Sequence, residues 1–242
     1  MERIRAKALF ALVVAIAASL VVTAATFGQR PEIGFPPQVQ MTYSSQPQPV
    51  PAPSEGRIPV SLRLSTSISL EDGSHPPAAT GLRFEFTRQF GLSLADLPTC
   101  PRAPLGPRSE RSPCEEVRFA AGRSKWEVAF PGQEPIQVEG RTIAYKIGSR
   151  TMALRVFLPA PVTAEVLIPV EITRVPPGTI YKTRATATIP KVAGGYASLL
   201  HLGLHFRKGV FSLACLQGGF QSSLTVDFAD GTRSSVAQLR VC

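Results

Sequence analysis

Cysteines are the residues whose type and number predict chemistry most directly. The sequence holds four, Cys100, Cys114, Cys215 and Cys242. An even number in an exported chain predicts disulfides. Of the three possible pairings, Cys100 with Cys114 and Cys215 with Cys242 is favoured, because the first pair brackets a loop and the second a run of strands. A zinc site is the alternative, but its usual Cys-x-x-Cys or Cys-His spacings are absent.

Two histidines have a spacing that suits a shared metal ion. His201 and His205 flank Gly203 in a run of alternating polarity. Strand geometry places both imidazoles on one face, opposite the leucines of that run. A metal site would need a third ligand from a neighbouring strand. The other interpretation is two polar residues that face solvent, and no metal is predicted.

No catalytic or cofactor motif is complete in this sequence. The segment 91–95 matches only half of the Gly-x-Ser-x-Gly pattern of serine hydrolases, because the second glycine is missing. Carboxylate pairs such as Glu71 with Asp72 and Glu115 with Glu116 lie in predicted turns or loop edges, where solvation explains them. Phosphate loops, dinucleotide fingerprints and EF-hand loops are absent. We therefore predict no catalytic residue and no cofactor, and that the protein is not an enzyme.

Basic residues concentrate in the C-terminal half. Residues 141–240 carry 12 Lys and Arg against 4 Asp and Glu, whereas residues 59–139 carry 9 against 10. A positively charged surface attracts polyanions. A merely soluble basic surface is the alternative, and the few aromatic residues give no support for specific nucleic-acid recognition. The candidate polyanion contacts, all alternating with core positions, are Arg155, Lys182, Arg184, Arg207 and Lys208.

Alternation with period two dominates the sequence after residue 57. In the run 58–70, for example, apolar residues alternate with Pro59, Arg63 and four serines, so one face is apolar and the other polar. About ten such runs, separated by Gly-rich and Pro-rich turns, predict an all-β domain over residues 58–242. We expect a two-sheet antiparallel sandwich of the immunoglobulin-like or jelly-roll-like kind.

Two segments precede this domain. Residues 1–27 combine three basic residues with an uncharged, mostly apolar run from Ala8 to Phe27. This is typical of a helical signal peptide with cleavage near Ala25, or of a retained membrane anchor of about 20 residues. Either alternative exports the rest of the chain, and the membrane is predicted as a partner only through residues 1–27 if they are not cleaved. Residues 28–57 are proline-rich and predict a disordered, semi-extended linker.

Short cysteine-anchored motifs give a resemblance over roughly residues 58–242. Leu97, Pro98, Thr99 and Cys100 are followed shortly by Cys114, and much later Cys215 precedes an Asp-Gly-Thr turn at 230–232 and the terminal Cys242. This arrangement resembles uncharacterised exported, cysteine-stapled β-rich proteins of high-GC actinobacteria. The resemblance implies an exported β-rich domain and transfers no catalytic residue.

Together these features predict a non-enzymatic binding or structural module, secreted or tethered to the outer face of the cytoplasmic membrane. Its expected partners are anionic envelope polymers or another extracellular protein. The alternative function is a secreted, carbohydrate-active hydrolase whose site is assembled from scattered residues. A flat, basic sheet face would favour the binding module, and a deep cleft lined by convergent carboxylates would favour the enzyme.

Overall fold

The computed structural model describes residues 38–53, 55–100, 114–215 and 219–242. These residues form an all-β fold with one 3-10 turn and no α-helix. The predicted signal or anchor helix at 1–27 lies outside them. The strands are β1 (Val39–Gln48), β2 (Ile58–Leu70), β3 (Ala79–Thr87), β4 (Phe90–Leu92), β5 (Ala120–Val128), β6 (Ile136–Lys146), β7 (Thr151–Leu158), β8 (Ala164–Arg174), β9 (Tyr181–Thr188), β10 (Ala197–Leu213), β11 (Gly219–Phe228) and β12 (Arg233–Val241).

Alternating burial along the strands confirms the all-β prediction. On β2, Val60, Leu62 and Leu64 are buried, while Ser61 and Arg63 between them face outward. Trp126 and Leu224, on β5 and β11, are also almost fully buried in the same core. Successive side chains of a strand point to opposite faces, so the apolar faces of the strands together line one interior.

The strands form one curved sheet, so the predicted two-sheet sandwich is not confirmed. Hydrogen bonds connect the strands in the order β1-β2-β10-β5-β6-β7-β8-β9-β3-β11-β12, with β4 attached to β10. Every pairing on this path is antiparallel, and the sheet curls into a nearly closed barrel. The alternation specifies which side chains are buried, and it is the same for the two inner faces of a sandwich and the inside of a barrel.

The first strand lies inside the segment predicted to be a disordered linker. Val39–Gln48 pairs along its whole length with β2, which corrects the linker prediction for these ten residues. Met41 and Tyr43 pack on the core side, and the neighbouring Gln40, Thr42 and Ser44 alternate with them on the outer side. Pro47 is tolerated because β1 is the first strand of the sheet and one of its edges has no ladder to break.

The two ends of the sheet meet along a line between β1 and β12, which we call the seam. Ten antiparallel pairings separate these strands, so β1 and β12 run in the same direction. Among the described residues no backbone ladder joins them. Instead, the Ser45 N–H donates to Oε1 of Gln238, and the Ser45 hydroxyl lies 2.6 Å from that of Ser222. Side chains therefore bridge a sheet that its backbone does not close.

Both predicted disulfides are present. Cys100 bonds to Cys114 with a Cα–Cα distance of 5.4 Å, and Cys215 bonds to Cys242 with a distance of 6.1 Å. The first bond belongs to a small outer core on the convex side of the sheet. Lys146, at the end of β6, donates to the carbonyl oxygens of Ala95 and Leu97, in the segment that leads to Cys100. The buried members of this outer core are Cys100, Cys114, Ile143, Tyr145 and Ala153.

Candidate functional site

A groove of about 640 Å³ crosses the outer face of β5, β6 and the end of β7. Its position follows from strand register, because Arg123 on β5 lies directly opposite Arg141 on β6, and Arg141 lies opposite Phe157 on β7. Three arginines and two glutamates give the lining a small positive charge. The lining residues are Glu115, Arg118, Ala121, Gly122, Arg123, Glu139, Gly140, Arg141, Ile143, Phe157 and Pro159.

Glu115 organises one wall of the groove. Its carboxylate accepts two hydrogen bonds from Arg141, at 2.6 and 3.0 Å, and a third from Arg118 at 3.2 Å. Paired bonds of this kind fix the planes of both groups. Glu115 follows Cys114 directly, so the first disulfide positions the residue that orients the two arginines.

Arg123 is the most available cation of the groove. Its side chain is 81% exposed, and its nearest carboxylate oxygen, on Glu139, lies 3.6 Å away. Such an exposed pair contributes little energy, so an incoming anion can replace Glu139 at low cost. Phe157, with 42% of its surface exposed, gives the groove an apolar wall.

The basic residues singled out from the sequence do not form one surface. Lys182 and Arg184 lie on β9, whereas Arg207 and Lys208 lie on β10. Lys182, Arg207 and Lys208 are exposed as expected, but the Arg184 guanidinium binds Glu85 at 2.8 Å. The groove arginines were missed because they are separated in sequence, and the opposition of Arg123 and Arg141 would have been predictable only from the register of the β5–β6 hairpin.

Arg155 corrects the prediction most clearly. Its side chain is 8% exposed, and it binds Glu165 through Nε at 2.7 Å and Nη2 at 2.9 Å. This hydrogen bonding raises the pKa of Arg155. The Arg155 side chain does point away from the barrel interior, as predicted. The same face of β7 is covered by the outer core, however, so the side chain is buried there. Arg155 is therefore not available to a polyanion.

The two histidines share a face of β10, and each has a polar neighbour on the adjacent strand β2. His201 Nδ1 lies 3.1 Å from the Ser67 hydroxyl on β2, and His205 is exposed opposite Arg63. Within the described residues, no group of three or more His, Cys, Asp or Glu side chains is placed to hold a metal ion. The arrangement gives the pair no third ligand in that part of the chain.

A Ser–His–Glu constellation that the sequence did not reveal lies on the outer face of β5 and β10. His75, in the β2–β3 connection, places Nδ1 2.7 Å from Glu127 and Nε2 3.0 Å from the Ser198 hydroxyl. These are the residue types of a hydrolase triad. The Ser198 side chain, however, is fully buried, and its hydroxyl also donates to the Pro76 carbonyl oxygen.

The proton count separates this constellation from a catalytic triad. A serine hydroxyl has one proton, and a carbonyl oxygen only accepts, so the proton of Ser198 is used by Pro76. Nε2 of His75 therefore lies beside a hydroxyl whose proton is already donated to a carbonyl oxygen. A general base must instead accept the serine proton. The constellation therefore pins the β2–β3 connection to the sheet.

Glu127 should make stability depend on pH below neutrality. Burial raises the pKa of its carboxyl, but hydrogen bonds from Gln137 and His75 and the charges of His75 and Lys125 lower it, with a net decrease. A lowered folded-state pKa means that this stabilisation is present above the unfolded-state value, about 4.3, and is lost as pH falls through the folded-state pKa. Urea unfolding of the wild type and Glu127→Gln at pH 7 and pH 3 should show a smaller pH effect in the variant. Equal pH effects would contradict the assignment.

Comparisons with known proteins leave the groove without a described counterpart. No protein-family model, curated protein or solved structure matches the chain. Within the part of the chain that the structure describes, no helix is long and apolar enough to cross a membrane. Function is therefore inferred from the geometry of the groove.

Proposed function

We propose that the protein is a non-enzymatic, extracytoplasmic binding module whose groove on β5–β7 binds a segment of an anionic polymer. The single observation that carries this proposal is the groove itself, in which Arg118, Arg123 and Arg141 converge over a floor of small residues. Guanidinium groups bind carboxylates and phosphates through paired hydrogen bonds. Arg123 would offer such paired hydrogen bonds to a ligand. Arg118 and Arg141 are held by Glu115 and form the wall beside it.

The alternative hydrolase is less well supported by the same groove. A glycosidase needs one carboxyl that donates a proton and a second on the other side of the bond to be cleaved. Glu115 accepts three hydrogen bonds from two arginines, and Glu139 lies beside Arg123. Both carboxylates are thus placed as partners of arginine. The buried Ser198 hydroxyl gives no second route to hydrolysis.

The form of the groove favours an acidic polysaccharide among anionic polymers. A sugar ring can pack on Phe157, and its carboxylate can meet Arg123 on the neighbouring part of the groove. Beyond the groove, the sheet face is open and polar, with Ser65 and Ser67 of β2 beside Gly203 and His201 of β10. This surface offers hydroxyl and imidazole partners to the sugar units that follow.

The proposed location follows from the N-terminal segment and the cysteines. The two disulfides are compatible with an extracellular location. Residues 1–27 would direct export, either as a cleaved signal or as an anchor, and the remaining proline-rich residues around β1 would serve as a spacer. The resemblance to exported actinobacterial proteins agrees with this placement and supports the same proposal.

The test is binding of the exported protein to polygalacturonate, a linear polymer with one carboxylate per sugar. Calorimetry should show binding that weakens as salt rises, with no binding of neutral dextran. Arg123→Gln should weaken binding about tenfold, because a hydrogen-bonded charge pair with the ligand is lost. Arg174→Gln is the matched control, since it removes the same charge from an exposed position at the end of β8.

Three results would count against the proposed function. Equal losses in Arg123→Gln and Arg174→Gln would show attraction by net charge alone. Equal binding of dextran and polygalacturonate would show that the carboxylate is not recognised. A wild-type protein that binds neither polymer would overturn the proposed ligand class.

A further inference from the structure

Within the described residues, no backbone ladder closes the seam between β1 and β12. Ten antiparallel pairings leave β1 and β12 running in the same direction. A single additional strand, antiparallel to both, would let every neighbouring pair in the barrel be antiparallel. Unpaired strand edges are templates for an added strand, because their N–H and C=O groups lie in one row. Because the number of pairings is even, a strand that fills the seam can be antiparallel to β1 and β12 at the same time.

The present bridge across the seam is made by side chains. Gln238 of β12 accepts from the Ser45 N–H, the position that a backbone carbonyl would take in a sheet. The Ser45 and Ser222 hydroxyls add one further contact. An entering strand would replace the Gln238 amide with its own carbonyl group, so the backbone hydrogen bond of Ser45 would be kept.

The charge and polarity of the seam residues indicate which side chains would suit an entering strand. On the inner side, Arg240 of β12 has a buried Nε without an acceptor among the described residues. On the outer side, Leu239 and Val241 are 71% and 83% exposed. Complementarity and strand alternation together favour an entering strand with a carboxylate on one face and apolar side chains on the other. Neither β1 nor β12 contains an acidic residue, so a second copy of either strand does not supply the carboxylate.

We propose that the seam accepts an extended segment of a partner protein, which pairs antiparallel with β1 and β12 and directs a carboxylate at Arg240. Main-chain hydrogen bonds supply affinity in this mode of recognition, and alternate side chains supply specificity. The site is separate from the groove, and it does not depend on the proposed polymer binding.

The test uses the full chain and a nine-residue peptide in which threonine alternates with valine and glutamate replaces the central threonine. A control peptide carries lysine at the centre. Fluorescence anisotropy should show that wild-type protein binds the glutamate peptide at least tenfold more tightly. Hydrogen exchange should show new protection of the Met41 and Tyr43 amides on β1. Arg240→Gln should abolish the preference for glutamate, whereas Arg174→Gln should keep it.

Three outcomes would overturn the proposal. The peptides could bind equally to wild-type protein, a comparison that needs no variant. Binding of the glutamate peptide could leave the β1 amides unprotected, which would place it elsewhere. A concentration-dependent dimer that protects the same amides without peptide would show that a second copy fills the seam. Polygalacturonate binding tests the groove, which is a different surface. The three outcomes for the seam can therefore be interpreted whether or not the polymer binds.

Discussion

Replacing both Cys215 and Cys242 with serine is expected to lower the free energy of unfolding by about 3–4 kcal/mol. The bond closes a segment with a sequence separation of 27, and it restricts the unfolded chain by the entropy of that loop. The position of the bond in the fold adds a contribution that loop length does not include. Cys215 follows β10, the third strand of the sheet path, and Cys242 follows β12, the last, so the bond joins the two sides of the seam.

Urea unfolding under non-reducing conditions measures this effect, and the paired variant Cys100→Ser with Cys114→Ser is its control. The control bond closes a shorter segment, with a separation of 14, and on loop entropy alone it contributes about 3 kcal/mol. The two pairs should differ in hydrogen exchange. Loss of Cys215–Cys242 should deprotect β12, whereas loss of Cys100–Cys114 should loosen the outer core. A loss below 1 kcal/mol for the Cys215 pair would contradict its role across the seam.

The sequence predicted the strands and the disulfides well because both depend on short-range patterns. The alternation of β2, for instance, follows from its apolar residues and serines alone. The pairing of Cys215 with Cys242 follows from a hairpin that returns the chain. The order of the strands depends on contacts between distant segments, such as β2 with β10 and β3 with β11, and alternation contains no information on these partners.

The errors in the predicted site have the same origin. Arg155 was expected on an outer, solvated face because it alternates with core residues, but a second layer of chain covers that face. The proline content of residues 28–57 predicts a linker over β1 as well, although an edge strand accommodates Pro47. Arg123 and Arg141 meet only through hairpin register, and His75 reaches Glu127 and Ser198 from a connection that has no periodic pattern. Each of these depends on tertiary placement.

Replacing Gly122 with alanine is expected to destabilise the protein by about 3 kcal/mol, at the upper end of the usual cost of overpacking. Gly122 lies on β5, opposite Leu204 of β10 and Thr142 of β6. A Cβ atom there would overlap the Gly203 carbonyl oxygen, and it would lie 2.8 Å from the Gly203 carbonyl carbon and 3.0 Å from the Leu204 Cα. All three are backbone atoms, so no side-chain rotation relieves the contact and the β5–β10 pairing must shift.

Gly81→Ala is the matched control because Gly81 also lies inside a paired strand, β3. The nearest atoms to its added Cβ, on Asp227 and Ala187, lie at 3.5 and 3.6 Å, which is ordinary van der Waals contact. Both substitutions restrict the unfolded chain alike, an effect that stabilises by about 0.4–1 kcal/mol. Urea unfolding should therefore show little change for Gly81→Ala and a large loss for Gly122→Ala. Equal stabilities would mean that β10 does not approach β5 as closely as described.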